Sequence, residues 1–433
     1  MSDYESLDVV PEQTYENADL SQEPLLPEEV PPEWKVVRLG DIKHLKNSRV
    51  DPTDMESEAY ISLKHLKKGE TRIEEHGYAQ EVNSHKYEFE PNDVLFGKLR
   101  PIFRKVVLAD FEGICSTDIN VFEPVEGVSR HFLLYTLFRE EFIQYADKTS
   151  TGTRMPRADW DELDELLVAV PPIQEQDAMG NLLAALDDRG VENSTILEKS
   201  EEMVEILFKY LFVDFGPYSK FQETEIGKLP EKFDLKTLSE VLSLQRGYSY
   251  KGENTNEEGN GIPMVNLGNI SPGGGFTGSN MKYFTGTAKE RYKISPGELV
   301  ISHTDMTQDA DILGSPLVVP DFGANEMIFS HHLYKIVDSD LPTEYLYPYF
   351  LSEYFKQTAE SYASGTTVLS FSSSITEDTY IPVPDEDSLE AYLSASEPLF
   401  KMVELKRQES ATLSELRNTI LPKLLSGEIR LPT

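Results

Sequence analysis

The chain has 433 residues, 39% of them hydrophobic, with 21 Phe and 21 Tyr, enough for about two or three domains with real cores. Its 40 Lys and Arg stand against 76 Asp and Glu, a formal net charge of −36, which taken alone argues against a polyanionic partner such as nucleic acid. The single cysteine, Cys115, excludes an intrachain disulfide and a Cys-based zinc site, and no apolar run approaches the roughly 20 residues of a membrane span.

The acids run through both halves rather than one tail. That pattern suits a salt-rich cytoplasm, where the Debye length falls to about 3 Å and a global negative charge repels DNA little. A halophilic source is the expectation. The acidic start has no secretory apolar region, so the expected location is cytoplasmic.

Residues 1–29 hold Asp3, Glu5, Asp8, Glu12, Glu16, Asp19, Glu23, Glu28 and Glu29 and no Lys or Arg. They read as a disordered acidic tail. Residues 30–172 read as a first globular unit of short strands at Ala59–Leu63, Asp93–Phe96, Lys105–Leu108 and Asn120–Phe122. The apolar face of Phe132, Leu133, Tyr135, Phe138 and Phe142 predicts one helix over Arg130–Ala146. From residue 173 to 215 the pattern changes. Leu182, Leu186, Leu197, Val204, Leu207 and Leu211 fit a 3.6-residue period, with a polar interruption at Asp187–Thr195 and no proline between Ile173 and Val213. About 37 helical residues would span roughly 55 Å, a spacer or coiled-coil partner rather than an ordinary globular helix. Asp214-Phe215-Gly216-Pro217 ends it, and residues 218–228 read as a linker. Residues 216–384 hold that linker and a second globule, and 385–433 a second long helix carrying Leu399, Met402, Leu413, Leu416, Ile420 and Leu424.

The second half repeats the first. Trp34-Lys35-Val36-Val37-Arg38-Leu39 is answered by Phe233-Asp234-Leu235-Lys236-Thr237-Leu238, and Tyr87…Pro91…Asp93 by Tyr292…Pro296…Glu298. Gly152-Thr153 with Val170-Pro171 is answered by Gly365-Thr366 with Val383-Pro384, both at an offset of 213 (365 − 152 and 384 − 171). A duplication this long is a whole domain. The fold class is α+β: two similar globules and two long helices. Antiparallel pairing of those helices would bury both apolar stripes and relate the globules by a pseudo-two-fold axis.

Enzyme motifs do not form. Gly97-Lys98 and Gly227-Lys228 are each followed by Leu, so no phosphate loop is present. Val170-Pro171-Pro172-Ile173 lacks the amide and the aromatic of an amino-methyltransferase box, and Cys115 is not preceded by the proline of a cytosine methylase. Phe96-Gly97-Lys98 lacks the second acid of a nuclease set after Asp93. His331 and His332 are sequential and, in a strand, would face opposite ways, unsuited to one metal. Gly273-Gly274-Gly275 reads as a hairpin turn.

Contact chemistry remains. Lys98, Arg100, Arg104 and Lys105 crowd a segment with no acid between Val94 and Ala109, a local exception suited to phosphate and guanine contact; the plain alternative is a solvated strand edge. Lys64, His65, Lys67 and Lys68 form a second such segment, and Arg154 with Arg157 a third. The corresponding candidates in the second unit are Asn266, Asn269, Ser302, His303, Thr304, Thr366, Ser370 and Ser372, polar groups that either read base edges or satisfy loop backbone. Different residues at matching loops would read different sequences.

In their order and doubling these phrases resemble the DNA-specificity (S) subunits of type I restriction–modification systems. The resemblance rests on Pro31–Ile42, Tyr60–Leu66, the closing phrase Val170-Pro171-Pro172-Ile173-Gln174-Glu175-Gln176, Leu207–Phe215, Ile226–Glu231 and Leu421–Ile429. It implies that the globules are target recognition domains and that the helices pack antiparallel and bind two methyltransferase (M) subunits, with restriction (R) subunits joining that core. It also implies double-stranded DNA as partner, no membrane, no catalytic residue and no cofactor in this chain; S-adenosylmethionine would belong to the M subunit. The second closing phrase, Val383-Pro384-Asp385-Glu386-Asp387, departs from the pattern. Two other readings stay open: a fused restriction or modification enzyme with an unrecognised site, and a protein–protein scaffold without DNA contact.

Overall fold

The computed structural model describes residues 7, 9–11, 23–54, 59–152, 155–250, 252–256, 259–277, 281–307, 309–366 and 368–432. The chain divides into two compact units, one of residues 1–194 with 408–433, the other of residues 195–407. Helices Ile173–Phe212 and Glu386–Leu425, 40 residues each, pass from one unit to the other, so each unit holds a globule and part of both helices.

In each unit the repeated opening and closing phrases are the two strands of one ladder. Lys35–Arg38 pairs antiparallel with Leu167–Val170, Lys35 opposite Val170. Asp234–Thr237 pairs antiparallel with Tyr380–Val383, Asp234 opposite Val383. The main sheet of the first unit runs Lys43–Lys46, Ile119–Pro124, Val94–Gly97, Val106–Leu108; that of the second runs Ser243–Arg246, Leu333–Val337, Leu299–Ser302, Pro316–Val318. The inner strands alternate apolar groups between two covered faces. Val94, Phe96, Val106 and Phe122 face a core shared with the helices, while Leu95, Val107 and Val121 face a second core under the other sheet, the two-residue alternation of a strand between layers. Leu299 and Ile301 against Val300 and Leu317 repeat that division. The outer sheet of each unit contains one parallel pair, Tyr60 opposite Ile114 and Met264 opposite Ile328.

The helix expected over Arg130–Ala146 is two helices, Arg130–Phe138 and Glu140–Lys148, parted at Arg139, whose ψ of 146° is extended. The second unit breaks at its counterpart, Ser352, also at ψ 146°, between Thr343–Leu351 and Glu353–Tyr362. The Ser352 hydroxyl accepts the Phe355 N–H at 3.3 Å and so starts the new helix. A period of 3.6 residues runs through such a break unseen.

The long helices complete both cores. Leu421, Leu424 and Leu425 join Met179 and Leu183 in the first. Phe212 lies 4.9 Å from the Tyr345 ring and 5.1 Å from the Tyr392 ring in the second. Each such buried side chain is worth about 1.5–3 kcal/mol. The polar stretch Asp187–Thr195 does not interrupt the helix. Asp187 is the centre of a buried knot in the first unit, where its carboxylate meets Arg417 Nη1 at 2.7 Å, Thr71 Oγ1 at 2.5 Å and the Tyr135 hydroxyl at 2.8 Å. In the second unit Glu201 meets Arg407 at 2.5 Å. Within each unit the helix segments therefore run antiparallel.

Two expectations need correction. The disordered tail does not extend to residue 29: Leu25 is buried, the Glu23 carboxylate accepts the Leu167 N–H at 2.7 Å, and the Val10 N–H donates to Val36 O at 2.8 Å. Much of the tail, residues 12–22 included, lies outside the described residues. The linker at 218–228 contains half of a hairpin, Phe221–Thr224 with Gly227–Pro230. No helix among the described residues is long and apolar enough to cross a membrane.

Candidate nucleic-acid interface

The two units share one frame at the end of a central strand. Strand Val94–Gly97 ends with Gly97 opposite Ile119, and Leu299–Ser302 ends with Ser302 opposite Leu333. The next residue is Lys98 in the first unit and His303 in the second. The Lys98 N–H donates to Asp118 O at 2.8 Å and the His303 N–H to His332 O at 3.1 Å. The Lys98 carbonyl accepts Ala158 N–H and the His303 carbonyl accepts Phe371 N–H, both at 3.1 Å. One step on, Leu99 bridges Arg157 and Thr304 bridges Ser370. Arg157 also bridges Thr151, as Ser370 bridges Ser364. The glycines that follow, Gly152 and Gly365, stand at φ 103° and 125°, which only glycine adopts freely.

The side chains make the same contact with different chemistry. Lys98 Nζ donates to Thr117 O at 2.7 Å; His303 Nε2 lies 2.8 Å from His331 O, the counterpart carbonyl. Only an Nε2–H can make that bond, which fixes the neutral tautomer. Burial pushes the pKa of both groups down.

The other first-unit candidates separate. Lys64, Lys68 and Arg100 are exposed; Arg157 is exposed and lies 3.3 Å from Asp118. Lys67 is exposed but paired with Glu74. His65 is not a contact group: it is buried, and its Nδ1 accepts the Ser62 N–H at 3.0 Å, closing a turn. Arg104 and Lys105 also turn inward. Arg104 donates to Phe138 O at 2.5 Å and lies 3.8 Å from the Phe138 ring, and burial takes its pKa down to about 10; Lys105 Nζ donates to Leu63 O. Arg154 lies outside the described residues.

Five of the eight second-unit candidates are buried. Asn266 and Asn269 cap one another across a tight turn, with Asn269 Oδ1 accepting the Asn266 N–H at 2.8 Å. The Ser302 hydroxyl is held by Ile312 O, His303 stacks on Tyr334 at 4.2 Å, and Thr304 Oγ1 lies 2.9 Å from His332 Nδ1. These groups hold the frame and do not face out from it. Thr366 and Ser372 are exposed, and Ser370 is half-buried.

Basic groups beside aromatic rings carry what the sequence reading missed. In the second unit Gln245, Arg246, Ser249, Arg291, Tyr292 and His331 line a cleft of about 510 Å³. There Arg246 Nε donates to His331 O at 3.1 Å and the Arg291 guanidinium lies 4.6 Å from the Tyr292 ring. In the first unit Arg49 and Lys98 lie 5.9 and 5.1 Å from the ring of Tyr87, the counterpart of Tyr292. The Tyr87–Tyr292 match was visible in the sequence as a repeat marker, and Lys98 as a basic candidate; Arg49 and Arg246, brought in from other strands, were not. The His331 and His332 rings lie 3.9 Å apart, because the pair sits in a turn and not in a strand as expected. Among the described residues no group of three or more His, Cys, Asp or Glu could hold a metal ion.

Residues 31–202 match the family model described as the type I restriction modification DNA specificity domain. Several curated specificity subunits are similar to this chain over most of its length. The MjaVIII specificity subunit of Methanocaldococcus jannaschii is 24% identical over 93% of this chain and 94% of its own. The HindI specificity subunit of Haemophilus influenzae is 23% identical over 92% and 100%. A crystal structure of a type I restriction–modification S subunit from M. genitalium shares the fold at a TM-score of 0.51 and 15% identity, covering 92% of this chain and 98% of that one. The chain is thus similar to type I restriction enzyme specificity subunits over nearly its whole length, the resemblance its doubled phrases carry.

Proposed function

We propose that the protein is a non-catalytic, sequence-specific DNA-binding subunit that reads a bipartite site and scaffolds the methyltransferase and restriction subunits of a type I restriction–modification complex. The observation that carries this reading is the doubled strand-end frame: the same backbone bonds in both units, with Lys98 in one and His303 in the other. A reader of two unlike half-sites needs a main-chain frame that stays and exposed groups around it that differ, here Arg100 and Arg157 beside one frame and Thr366 and Ser372 beside the other. The flanking pairs of cations and rings suit phosphates and bases. They favour DNA over a purely protein partner despite the net charge, and the acidic surface suits a salt-rich cytoplasm.

In this reading residues 30–172 and 216–384 are the target recognition domains, and 173–215 and 385–433 the spacers. Two methyltransferase subunits dock on the long helices. Met203, Ile206 and Tyr210, on one helical face, and Val213 just past its end, 47–59% exposed, form an apolar surface that asks for a partner. Exchanging residues 30–172 for those of a related subunit is the test. Methylation mapping then shows the first half-site changed and the second kept; a motif unchanged in both halves overturns the reading.

A further inference from the structure

A tight turn after the first unit's frame has a feature that contact with phosphates does not explain. Pro101–Phe103 forms one turn of 3₁₀ helix between Arg100 at φ 50° and Arg104 at φ 51°, two left-handed residues that are not glycine. Such backbone persists only where its surroundings hold it. Here the Arg100 N–H donates to Pro156 O at 2.8 Å, the Arg104 N–H to Pro101 O at 2.7 Å, and the Arg104 side chain is pinned to Phe138 O at 2.5 Å. The rigid tip nevertheless exposes apolar groups: Ile102 at 45%, Phe103 at 36% and, on the adjoining turn, Met155 at 59%. Arg100 is exposed and its guanidinium lies 5.8 Å from the Phe103 ring.

We propose that this tip reads a thymine in the first half-site through its 5-methyl group, with Ile102 and Phe103 against the methyl and Arg100 on the neighbouring phosphate or guanine. The inference rests on the DNA-reading function proposed above. In the major groove the thymine methyl is the apolar mark of an A·T pair, and aliphatic or aromatic contact is how it is read, beside the guanine contacts that arginine makes. A rigid apolar tip next to an exposed arginine fits that pairing. The arginine of this tip has no basic counterpart in the second unit. The counterpart of Arg100 is Asp305, which is buried, and its carboxylate accepts the Thr307 N–H at 2.7 Å and the Ile312 N–H at 2.8 Å.

The test uses the full chain and a duplex carrying the split motif mapped by methylation, with each thymine of the first half-site replaced in turn by uracil, which lacks only the methyl. One position is expected to lose about three- to fivefold in affinity, the worth of one buried methyl. A variant with Ile102→Ser and Phe103→Ser, both partly exposed and checked for an unchanged urea midpoint, is expected to bind thymine and uracil duplexes alike while its second half-site preference stays. Phe103→Leu is expected to restore the difference. Indifference of the unaltered chain to uracil at every position overturns the proposal, as does a first half-site without thymine or a serine variant that still discriminates. A chain that binds no split motif overturns the DNA reading itself, and the thymine contact with it.

Discussion

The two repeats solve one structural problem with different residues, and the difference separates what the fold needs from what a reader of DNA can vary. At the repeat entrance the first unit has Trp34, whose indole N–H donates to Glu175 at 3.1 Å; Glu175 is buried and also accepts Arg430 at 2.8 and 2.9 Å. The second unit has Phe233 at the matching place, without an N–H, and its closing phrase has no Glu-Gln pair to receive one. There Asp385 accepts the Ser388 hydroxyl at 2.5 Å at the start of the second long helix. The departure in the second closing phrase is therefore the loss of an acceptor together with its donor, which keeps buried polar groups paired. The frame around Lys98 and His303 follows the opposite rule: the bonds stay and the chemistry changes.

The largest expected difference between the repeats lies in the helix contacts. Asp187 and Arg417 have side chains 6% and 11% exposed, whereas Glu201 and Arg407 are 31% and 19% exposed. Arg417→Ala leaves Asp187 buried with its hydroxyl donors alone and is expected to cost about 3–5 kcal/mol. Arg407→Ala leaves a carboxylate that water reaches and is expected to cost about 1 kcal/mol or less. Urea unfolding followed by limited proteolysis of each unit checks this; equal losses would show that the first unit's polar knot is not the stronger anchor.

A smaller contrast sits at the repeated glycines. Both Gly152 and Gly365 have positive φ, but a Cβ at Gly365 would collide with Val368 O, while one at Gly152 would meet Met155 O at 3.2 Å. Gly365→Ala is expected to cost about 2–3 kcal/mol and Gly152→Ala about 1 kcal/mol, read as midpoint shifts of the two units. A larger loss at Gly152 would break the ordering.

The sequence revealed this architecture because duplication writes each constraint twice. The Gly-Thr match marked a backbone position that only glycine tolerates, and the Val-Pro match marked the closing strand of a ladder. The break at Arg139 left no mark, since an extended residue between two amphipathic helices keeps the apolar spacing nearly intact. The site was harder to read. Lys98, Arg104 and Lys105 are one basic cluster in sequence, yet a tight turn with two left-handed residues sends Arg104 and Lys105 inward and leaves Arg100 outside. Asn266 and Asn269 looked like base readers because the amides that cap a turn are the same amides that read adenine. Arg291 and Tyr292 are neighbours in one turn, but Arg246 joins them from a distant strand.

The smallest expected effect is a pH response of the second unit. The rings of His303, His331 and His332 lie near one another, with Arg246 and Lys282 the other charged groups acting on them and the rings of Tyr250 and Tyr334 alongside. Burial first, then the neighbouring imidazoles and basic groups, holds His332 down at about 4 against an ordinary 6.5. The unfolded chain therefore binds the proton that the folded chain refuses. Stability from this group is fully present above about pH 6.5 and is lost as the pH falls toward 4. Because His332 is partly open to water, the loss by pH 4.5 is on the order of 1 kcal/mol. His65 and His131 of the first unit are also lowered by burial, so acid weakens both units, and the comparison turns on His332→Gln. The amide can still bond Thr304 and takes up no proton. Urea midpoints of the second unit measured from pH 7 to 4.5 are expected to fall less steeply in this variant, with the first unit's profile unchanged. An unaltered slope in the second unit would place its acid sensitivity elsewhere than in the paired imidazoles.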